Sequence, residues 1–264
     1  MVYNENAQIV SHEKRGPRLY LLKLSAPQVA RTLKPGQFIH MTVPHMPDHI
    51  LRRPFSVYDL DLEEGTIDIL YQVVGYGTDK MTNLQVGETV NLLGPIGNPW
   101  TIPHGAQRAL VVGGGVGAAS TFLQTKALIE NGLAVDVILG AQTKLALVTY
   151  DHYVNLNPQT ILASTDDGSF GFHGFATPLV DKALEDALEA GKAYDMVYVC
   201  GPEPLMRIVA QSVEAKGMSC QVSMERRMAC GIGACLSCVI DTTDGKKRAC
   251  VDGPIFDAKE VVWA

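Results

Sequence analysis

Four cysteines near the end of the chain carry the most specific chemical signal, in the spacing Cys-x4-Cys-x2-Cys-x11-Cys. They are Cys230, Cys235, Cys238 and Cys250. This spacing matches plant-type [2Fe-2S] sites, in which four thiolates hold two irons. Gly231 and Gly233 would let the backbone curl around such a cluster and direct N–H groups at its sulfurs. A structural zinc site is the alternative, but zinc ribbons commonly use two Cys-x2-Cys knuckles, whereas this segment has one. The cysteines therefore predict a [2Fe-2S] cluster.

A glycine-rich loop between a strand pattern and a helix pattern indicates a nucleotide site. Its residues are Gly113, Gly114, Gly115, Val116 and Gly117. Backbone N–H groups in such a loop, together with the following helix N-terminus, can hold a pyrophosphate. A tight turn that merely joins strand to helix is the alternative. The acidic residue expected about twenty positions later to bind a ribose is not in its usual place, because Asp136 lies inside the next strand pattern.

Two further segments are expected at the same edge of the sheet. Thr165 and Asp166 come at the end of the strand pattern TILAST, and Cys200 and Gly201 end the pattern YDMVYVCG. Parallel α/β folds bind ligands at the carboxyl ends of their strands. Cys200 is equally well explained as a packed thiol, and Cys220 is expected to have no special role. No arginine follows the second strand to receive a 2′-phosphate, which favours NAD over NADP.

The elements that must position these residues divide the chain into three predicted domains. Residues 1–101 show short β patterns separated by Gly and Pro turns, which predict an antiparallel β-barrel or sandwich. Residues 102–221 alternate strand and helix patterns, as in a parallel α/β domain. Residues 222–264 are too few for a core of their own, so a metal centre would have to hold them together.

Composition excludes several classes of function. The formal charge of −6 argues against a nucleic-acid surface, which requires clustered Lys and Arg. No apolar run reaches the ~18 residues that a membrane span needs. The N-terminus lacks the basic and then apolar order of a signal peptide. We therefore expect a cytoplasmic protein with neither a nucleic-acid nor a membrane partner.

One segment of the predicted barrel places a cation, a ring and a hydroxyl in a row, as Arg53, Pro54, Phe55 and Ser56. On a strand, alternation would send Arg53 and Phe55 to one face and Pro54 and Ser56 to the other. Neighbouring groups could then bracket an edge of a bound ring. An ordinary edge strand that starts at a proline is the alternative.

Taken together, the motifs resemble the ferredoxin reductase-like family, and within it most closely the electron-transfer subunits of class 1B dihydroorotate dehydrogenases. In chain order they are RPFSVYD, ILYQVVGYGT, LLGPIGN, VVGGGVG, STDDGSFG, CGPEPLM and MERRMACGIGACLSC. The resemblance covers nearly the whole chain. It implies that the barrel binds FAD, the α/β domain binds NAD(H), and the last domain holds the [2Fe-2S] cluster.

The resemblance also implies roles for individual barrel residues. Arg53 would meet the FAD phosphates, while Pro54, Phe55 and Ser56 would line the isoalloxazine. Leu70, Tyr71 and Gln72 would flank the ribityl and adenylate portions, and Gly77 and Thr78 would donate to the pyrophosphate. Two positions depart from the family pattern: Ala118-Ala119-Ser120 stands where a proline is common, and Pro99 where a glycine is common. No acid–base catalyst is predicted.

The resemblance further implies a partner and a reaction. The partner would be an FMN-containing dihydroorotate dehydrogenase catalytic subunit, in a heterotetramer of two subunits of each kind. The complex would convert dihydroorotate and NAD⁺ to orotate and NADH in pyrimidine biosynthesis. An electron-transfer subunit for another partner, such as a sulfhydrogenase or a ferredoxin:NADP oxidoreductase, stays open. So does a sensor that uses the cluster to switch binding to a partner.

Overall fold

The computed structural model describes residues 1–46 and 49–263, and the first part of this chain forms a seven-stranded antiparallel half-barrel. Its strands are β1 (Tyr3–Gly16), β2 (Leu19–Ser25), β3 (Phe38–Met41), β4 (Arg53–Ser56), β5 (Asp59–Asp61), β6 (Thr66–Gln72) and β7 (Thr89–Ile96). Their spatial order is β4-β3-β7-β1-β2-β6-β5. Along β1, the buried residues Glu5, Ala7 and Ile9 alternate with exposed ones, so one face of the sheet covers the core.

Two short helices accompany the half-barrel, α1 (Pro27–Thr32) and α2 (Tyr76–Met81). The buried carboxylate of Glu5 accepts hydrogen bonds from the backbone N–H groups of Gln28 and Val29 at 3.2 and 3.1 Å. These N–H groups belong to the first turn of α1 and have no partner inside the helix. A residue of β1 therefore caps a helix that has no side-chain cap of its own.

The second sheet is parallel over most of its width and matches the predicted α/β domain. Its strands are β8 (Arg108–Gly114), β9 (Ala134–Ala141), β10 (Thr160–Thr165), β11 (Phe172–His173), β12 (Met196–Cys200) and β13 (Cys220–Ser223). Its helices are α3 (Gly117–Glu130), α4 (Tyr150–Asn155), α5 (Thr177–Glu189) and α6 (Glu203–Ala215). The strand order β11-β10-β9-β8-β12-β13 reverses direction at β8, which creates a topological switch point between β8 and β12.

The C-terminal part adds a hairpin and closes the second sheet. The hairpin consists of β14 (Val239–Thr242) and β15 (Gly245–Arg248), and β16 (Ile255–Asp257) pairs antiparallel with β13. Phe256 of β16 packs in the same core as Val222 of β13. The boundary predicted after residue 221 falls inside β13, and it stays a prediction. The last segment thus takes its core from the α/β domain, as its small size requires.

Helix α3 lies against the half-barrel and joins the two sheets. The hydroxyl of Tyr58 lies 2.6 Å from Nδ1 of His152, and the Tyr58 ring lies 4.8 Å from that of Phe122. Lys126 pairs with Asp59 across the same seam at 3.5 Å. Burial raises the pKa of Tyr58, so its hydroxyl stays protonated. Among the described residues, no helix has both the length and the apolar character needed to cross a membrane.

The β16 strand gives a direct test of how the C-terminal part is anchored. Phe256→Ala should lower the free energy of unfolding by about 3–5 kcal/mol, the usual cost of emptying a buried phenylalanine site. Phe175→Ala is the matched control, because this ring is 72% exposed and its loss should cost within about 0.5 kcal/mol. Urea unfolding followed by fluorescence measures both. Equal midpoints for the two variants would contradict the packing of β16.

Candidate redox site

The cysteine loop follows β13 and uses left-handed backbone at several points. Gly231 and Gly233 have φ of 70° and 82°, as the loop glycines were expected to allow, and Leu236 has φ of 58°. Such values favour glycine, because a side chain is strained there. The N–H of Ile232 donates to Sγ of Cys230 at 3.5 Å. The curled loop thus directs a backbone donor at a sulfur.

The four predicted cysteine ligands lie together as two pairs. Sγ of Cys238 lies 3.3 Å from Sγ of Cys250, and Cys235 interacts with Cys230. Within residues 1–46 and 49–263, no three His, Cys, Asp or Glu side chains converge as donors to a single metal ion. Two thiol pairs suit two irons that each take two thiolates better than they suit one tetrahedral zinc.

The two thiol pairs differ in exposure: Cys230 is half-buried and Cys235 exposed, whereas Cys238 and Cys250 are both buried. A hydrogen bond with Ser237, together with the neighbouring Cys230, lowers the pKa of the exposed Cys235 to about 6. Burial and the adjacent Cys238 raise the pKa of Cys250. Metal binding requires thiolates, so a bound cation would have to compensate the buried pair.

The cysteine loop rests on strand β3 of the half-barrel, at His40. A Cβ added to Gly231 would lie 2.6 Å from Nδ1 of His40, so the loop can approach only because this residue is glycine. His40 is fully buried, and burial lowers its pKa to about 4, which keeps the ring neutral. On the other side of the loop, Nη1 of Arg248 donates to the carbonyl of Gly233 at 3.2 Å. Sequence reasoning missed His40, because no motif contains it.

Strand β4, which carries the predicted flavin residues, pairs with β3 along its whole length. The pairs are Ser56 with Phe38, Phe55 with Ile39, Pro54 with His40, and Arg53 with Met41. All four β4 residues are half-buried at the edge of the sheet. The flavin strand and the cysteine loop therefore contact the same strand, β3.

The structure brings Arg53 together with the predicted phosphate donors of α2. A Cβ added to Gly77 would lie 3.1 Å from Nε of Arg53, so glycine leaves room for the guanidinium. The N–H groups of Gly77 and Thr78 precede the first intrahelical bond, which runs from the N–H of Asp79 to the carbonyl of Gly75. The hydroxyl of Thr78 is engaged locally, since it accepts from the N–H of Val74 at 2.9 Å. The Arg53 guanidinium and the N–H groups of the first turn of α2 thus lie next to each other, an arrangement that suits a phosphate.

The three predicted β6 residues differ in exposure. Gln72 is exposed, whereas Leu70 and Tyr71 are buried. The Nδ1–H of His12 donates to the carbonyl of Leu84 at 3.1 Å, which leaves Nε2 to accept from the Tyr71 hydroxyl at 2.9 Å. The flanking roles of these residues stay predictions, and the burial favours backbone or ring-edge contacts for Leu70 and Tyr71.

The glycine loop and the Cys200 segment meet at the switch point. Gly113 at the end of β8 is in register with Cys200 at the end of β12. A Cβ added to Gly117 would lie 2.7 Å from both the Cys200 carbonyl oxygen and the Cα of Gly201, so packing alone requires glycine there. Gly115 has φ of 56°, and an added Cβ would meet nothing within 4 Å. Gly117 thus fits the alternative of a tight turn that joins strand to helix, whereas Gly115 leaves space beside the loop.

Ser120 connects the flavin strand to the nucleotide edge. Its hydroxyl donates to that of Ser56 at 2.8 Å, and it also interacts with Cys200. Burial raises the pKa of Cys200 to about 11, so this thiol stays protonated. Ser120 belongs to the segment that departs from the family pattern. The departure was visible in the sequence, but the contact was not.

Thr165 ends β10 and Asp166 follows it, at the same edge of the sheet and two strands away from β8. Thr165 is fully buried, and its Oγ1 donates to the carbonyl of Phe170 and accepts from its N–H at 2.9 and 3.0 Å. Asp166 is exposed. Lys144, which none of the sequence motifs contains, follows β9, with its Nζ 5.6 Å from the centre of the Phe170 ring.

Asp136 lies near the start of β9, away from the nucleotide edge. Its carboxylate accepts from Nη2 of Arg108 at 2.9 Å and from the hydroxyl of Tyr194 at 2.8 Å. These partners tie Asp136 to the amino-terminal ends of the strands. It is therefore a structural residue, in agreement with its position inside the strand pattern.

Comparison with known proteins assigns the two ends of the chain. A family model described as the iron-sulfur cluster binding domain of dihydroorotate dehydrogenase B matches residues 225–262, which include the four cysteines. A model described as an oxidoreductase FAD-binding domain matches residues 5–100. A solved structure of an NADH-dependent reduced ferredoxin-NADP oxidoreductase matches with a TM-score of 0.86 and 31% identity, covering 97% of this chain and 90% of that one.

Relatives of known identity match over nearly the whole length. The dihydroorotate dehydrogenase B (NAD(+)) electron transfer subunit of Desulforamulus reducens is 33% identical over 98% of both chains. The subunit of the same name from Enterococcus faecalis is 38% identical, again over 98% of both chains. These relatives therefore match the chain over the half-barrel, the parallel sheet and the cysteine loop alike. The chain belongs to the family of dihydroorotate dehydrogenase B electron-transfer subunits.

Proposed function

We propose that this chain carries electrons between NAD(H) and a catalytic partner subunit, through FAD on the half-barrel and a [2Fe-2S] cluster on the cysteine loop. One observation carries the proposal: the three predicted sites are contiguous. The cysteine loop rests on β3, β3 pairs with the flavin strand β4, and Ser56 of β4 accepts a hydrogen bond from Ser120 beside the glycine loop. NAD(H), FAD and the cluster bound at these sites would therefore lie next to one another in that order.

The half-barrel residues divide the work of holding FAD. The guanidinium of Arg53 and the N–H groups of Gly77 and Thr78 bind the phosphates, because a cation and unbonded first-turn donors meet there. Pro54, Phe55 and Ser56 line the isoalloxazine. Leu70, Tyr71 and Gln72 flank the ribityl and adenylate portions.

The nucleotide binds at the switch point. Gly113, Gly114, Gly115, Val116 and Gly117 hold the pyrophosphate, with Gly115 on the open side of the loop. Cys200 and Gly201 border the nicotinamide, next to Ser120 and the flavin strand. Thr165 and Asp166 border the more distant part of the nucleotide. The names of the full-length relatives specify NAD(+), which supports NAD over NADP.

The cluster is held by the two thiol pairs. They are Cys230 with Cys235, and Cys238 with Cys250. The bound groups supply hydride exchange with nicotinamide at the flavin and one-electron transfer at the cluster. The chain supports this chemistry by placing the cysteine loop at the exposed side, where Cys235 reaches solvent.

The partner is a catalytic subunit, as the term electron transfer subunit in the relatives' names implies. We assign it as an FMN-containing dihydroorotate dehydrogenase subunit, which joins this chain in a cytoplasmic heterotetramer of two subunits of each kind. The overall reaction is dihydroorotate and NAD⁺ to orotate and NADH. The Desulforamulus reducens and Enterococcus faecalis relatives, which match from end to end, both carry the dihydroorotate dehydrogenase B name, and this supports a dihydroorotate dehydrogenase partner. NADH-driven reduction of a dye would exclude a pure sensor.

Arg53 provides a test of the FAD site. Arg53→Ala should weaken FAD retention about ten- to a hundredfold, because a hydrogen bond to a charged group contributes about 1.5–3 kcal/mol. Arg15→Ala is the matched control, since Arg15 is a surface arginine of β1 whose ion pair is with Glu13. Flavin absorbance after gel filtration measures retention. Full FAD content in Arg53→Ala would refute the assignment.

Cys235 provides a test of the electron path. Cys235→Ser should lose or distort the cluster, while NADH should still reduce a dye through the flavin, because the half-barrel and the α/β domain have their own cores. Dihydroorotate-dependent NAD⁺ reduction in the reconstituted complex should be lost, because the one-electron carrier between the flavin and the partner subunit is gone.

The matched control is Cys220→Ala, which removes a buried thiol that lies outside the cysteine loop. It should keep both activities. Equal loss of dye reduction and coupled activity in Cys235→Ser would mean that the cluster stabilises the whole chain. Unchanged dihydroorotate-dependent NAD⁺ reduction in Cys235→Ser would show that the cluster is not on the electron path.

A further inference from the structure

We propose that His40 is a positioning residue for electron transfer, whose imidazole donates a hydrogen bond to the Cys230 end of the cysteine loop. This inference rests on the proposed function, because it needs a cluster on that loop. No motif contains His40, and the resemblance assigns it no role. Its place in the fold makes it a direct link between the flavin strand and the cysteine loop.

The ring of His40 is buried without a partner. Neither Nδ1 nor Nε2 has a hydrogen-bond partner among the described residues, although the side chain is fully buried. An unsatisfied buried polar group is destabilising, and a neutral imidazole has both a donor and an acceptor to satisfy. An apolar side chain would fill the site without this cost. A buried imidazole is therefore stabilised when a partner satisfies its N–H.

The cysteine loop supplies the nearest candidate for that partner. Gly231 packs against the imidazole, because a Cβ added there would lie 2.6 Å from Nδ1 and 3.2 Å from Cγ of His40. The backbones of Arg52 and Cys230 both border the ring, and Cys230 is the one that belongs to the cysteine loop. Cys230 directly precedes the glycine that touches Nδ1, so its backbone is the acceptor that the cysteine loop offers to an imidazole N–H. Iron bound to Cys230 would hold the loop against His40, and the loop backbone would then accept a hydrogen bond from the imidazole N–H.

The strand that carries His40 is held rigidly. Its backbone pairs with Pro54 in the flavin strand, and Nη1 of Arg52 donates to the His40 carbonyl at 3.4 Å. Arg52 is itself held by the carbonyl of Asn91 at 2.9 Å. His40 therefore cannot move without disturbing the flavin strand. A hydrogen bond from its ring fixes the distance between the two carrier sites and stabilises charge near the cluster.

The experiment uses the full chain in complex with its partner, with iron and FAD content measured first. His40→Leu removes the donor and keeps an apolar side chain, while His40→Asn places an amide N–H near the position of Nδ1. Met41→Leu is the matched control, because Met41 is a buried neighbour on β3 that belongs to the half-barrel core. The readouts are the cluster's reduction potential and EPR spectrum, and the rate at which NADH reduces the cluster.

In His40→Leu the cluster potential should become more negative and the EPR g-values should shift, because a donor next to a ligand is lost. Reduction of the cluster should slow about tenfold, which corresponds to about 1.4 kcal/mol in the barrier. His40→Asn should restore potential, spectrum and rate toward those of the unmodified chain. Met41→Leu should match the unmodified chain in all three.

Three results would overturn the role of His40. One is a His40→Leu variant with unchanged potential, spectrum and rate, and another is a His40→Asn variant that resembles His40→Leu. The third is equal loss of iron from both His40 variants, which would make the residue a packing element only. Failure of the proposed function looks different, because then the unmodified chain itself would contain no iron and show no cluster spectrum.

Discussion

The antiparallel pairing of β3 with β4 is the interaction on which the rest of the site depends. It places His40 opposite Pro54 and Met41 opposite Arg53, so one strand contacts both the cysteine loop and the residues proposed to bind the flavin. Backbone hydrogen bonds fix this register, and a slip of one residue would turn every side chain to the other face of the sheet. Two sites that lie far apart in the sequence are therefore joined through β3, by its four residue pairs with β4 and by the contact of His40 with Gly231.

A second long-range contact makes the arrangement rigid. Strand β16 pairs with β13, so the chain returns to the α/β sheet after the cysteine loop and the hairpin. The loop is anchored at both ends by one sheet, while its middle rests on the other through Gly231 and His40. Helix α3 completes the contact between the sheets, because its Ser120 bonds to Ser56 and its Phe122 packs against Tyr58. The three proposed carrier sites thus belong to one continuous scaffold.

Sequence could predict what depends on local pattern. Short alternating segments indicated the half-barrel, strand–helix alternation indicated the parallel sheet, and cysteine spacing indicated the cluster loop. Asp136 was correctly separated from the nucleotide edge, because its place within a strand is a local property. His40 and the Ser56–Ser120 bond were not predictable, since both depend on residues far apart in the chain. The same limit applies to β16, whose pairing with β13 no local pattern encodes.

The central claim is that this chain links flavin and cluster by direct contact through β3 and β4. An anaerobic titration of the purified chain with NADH tests it most directly, with flavin absorbance and the EPR spectrum of the cluster recorded on the same samples. We predict that the flavin bleaches and that the spectrum of a reduced [2Fe-2S] cluster then appears, without any partner subunit. Bleaching of the flavin with no cluster reduction by excess NADH, in samples where dithionite does produce the spectrum, would contradict it.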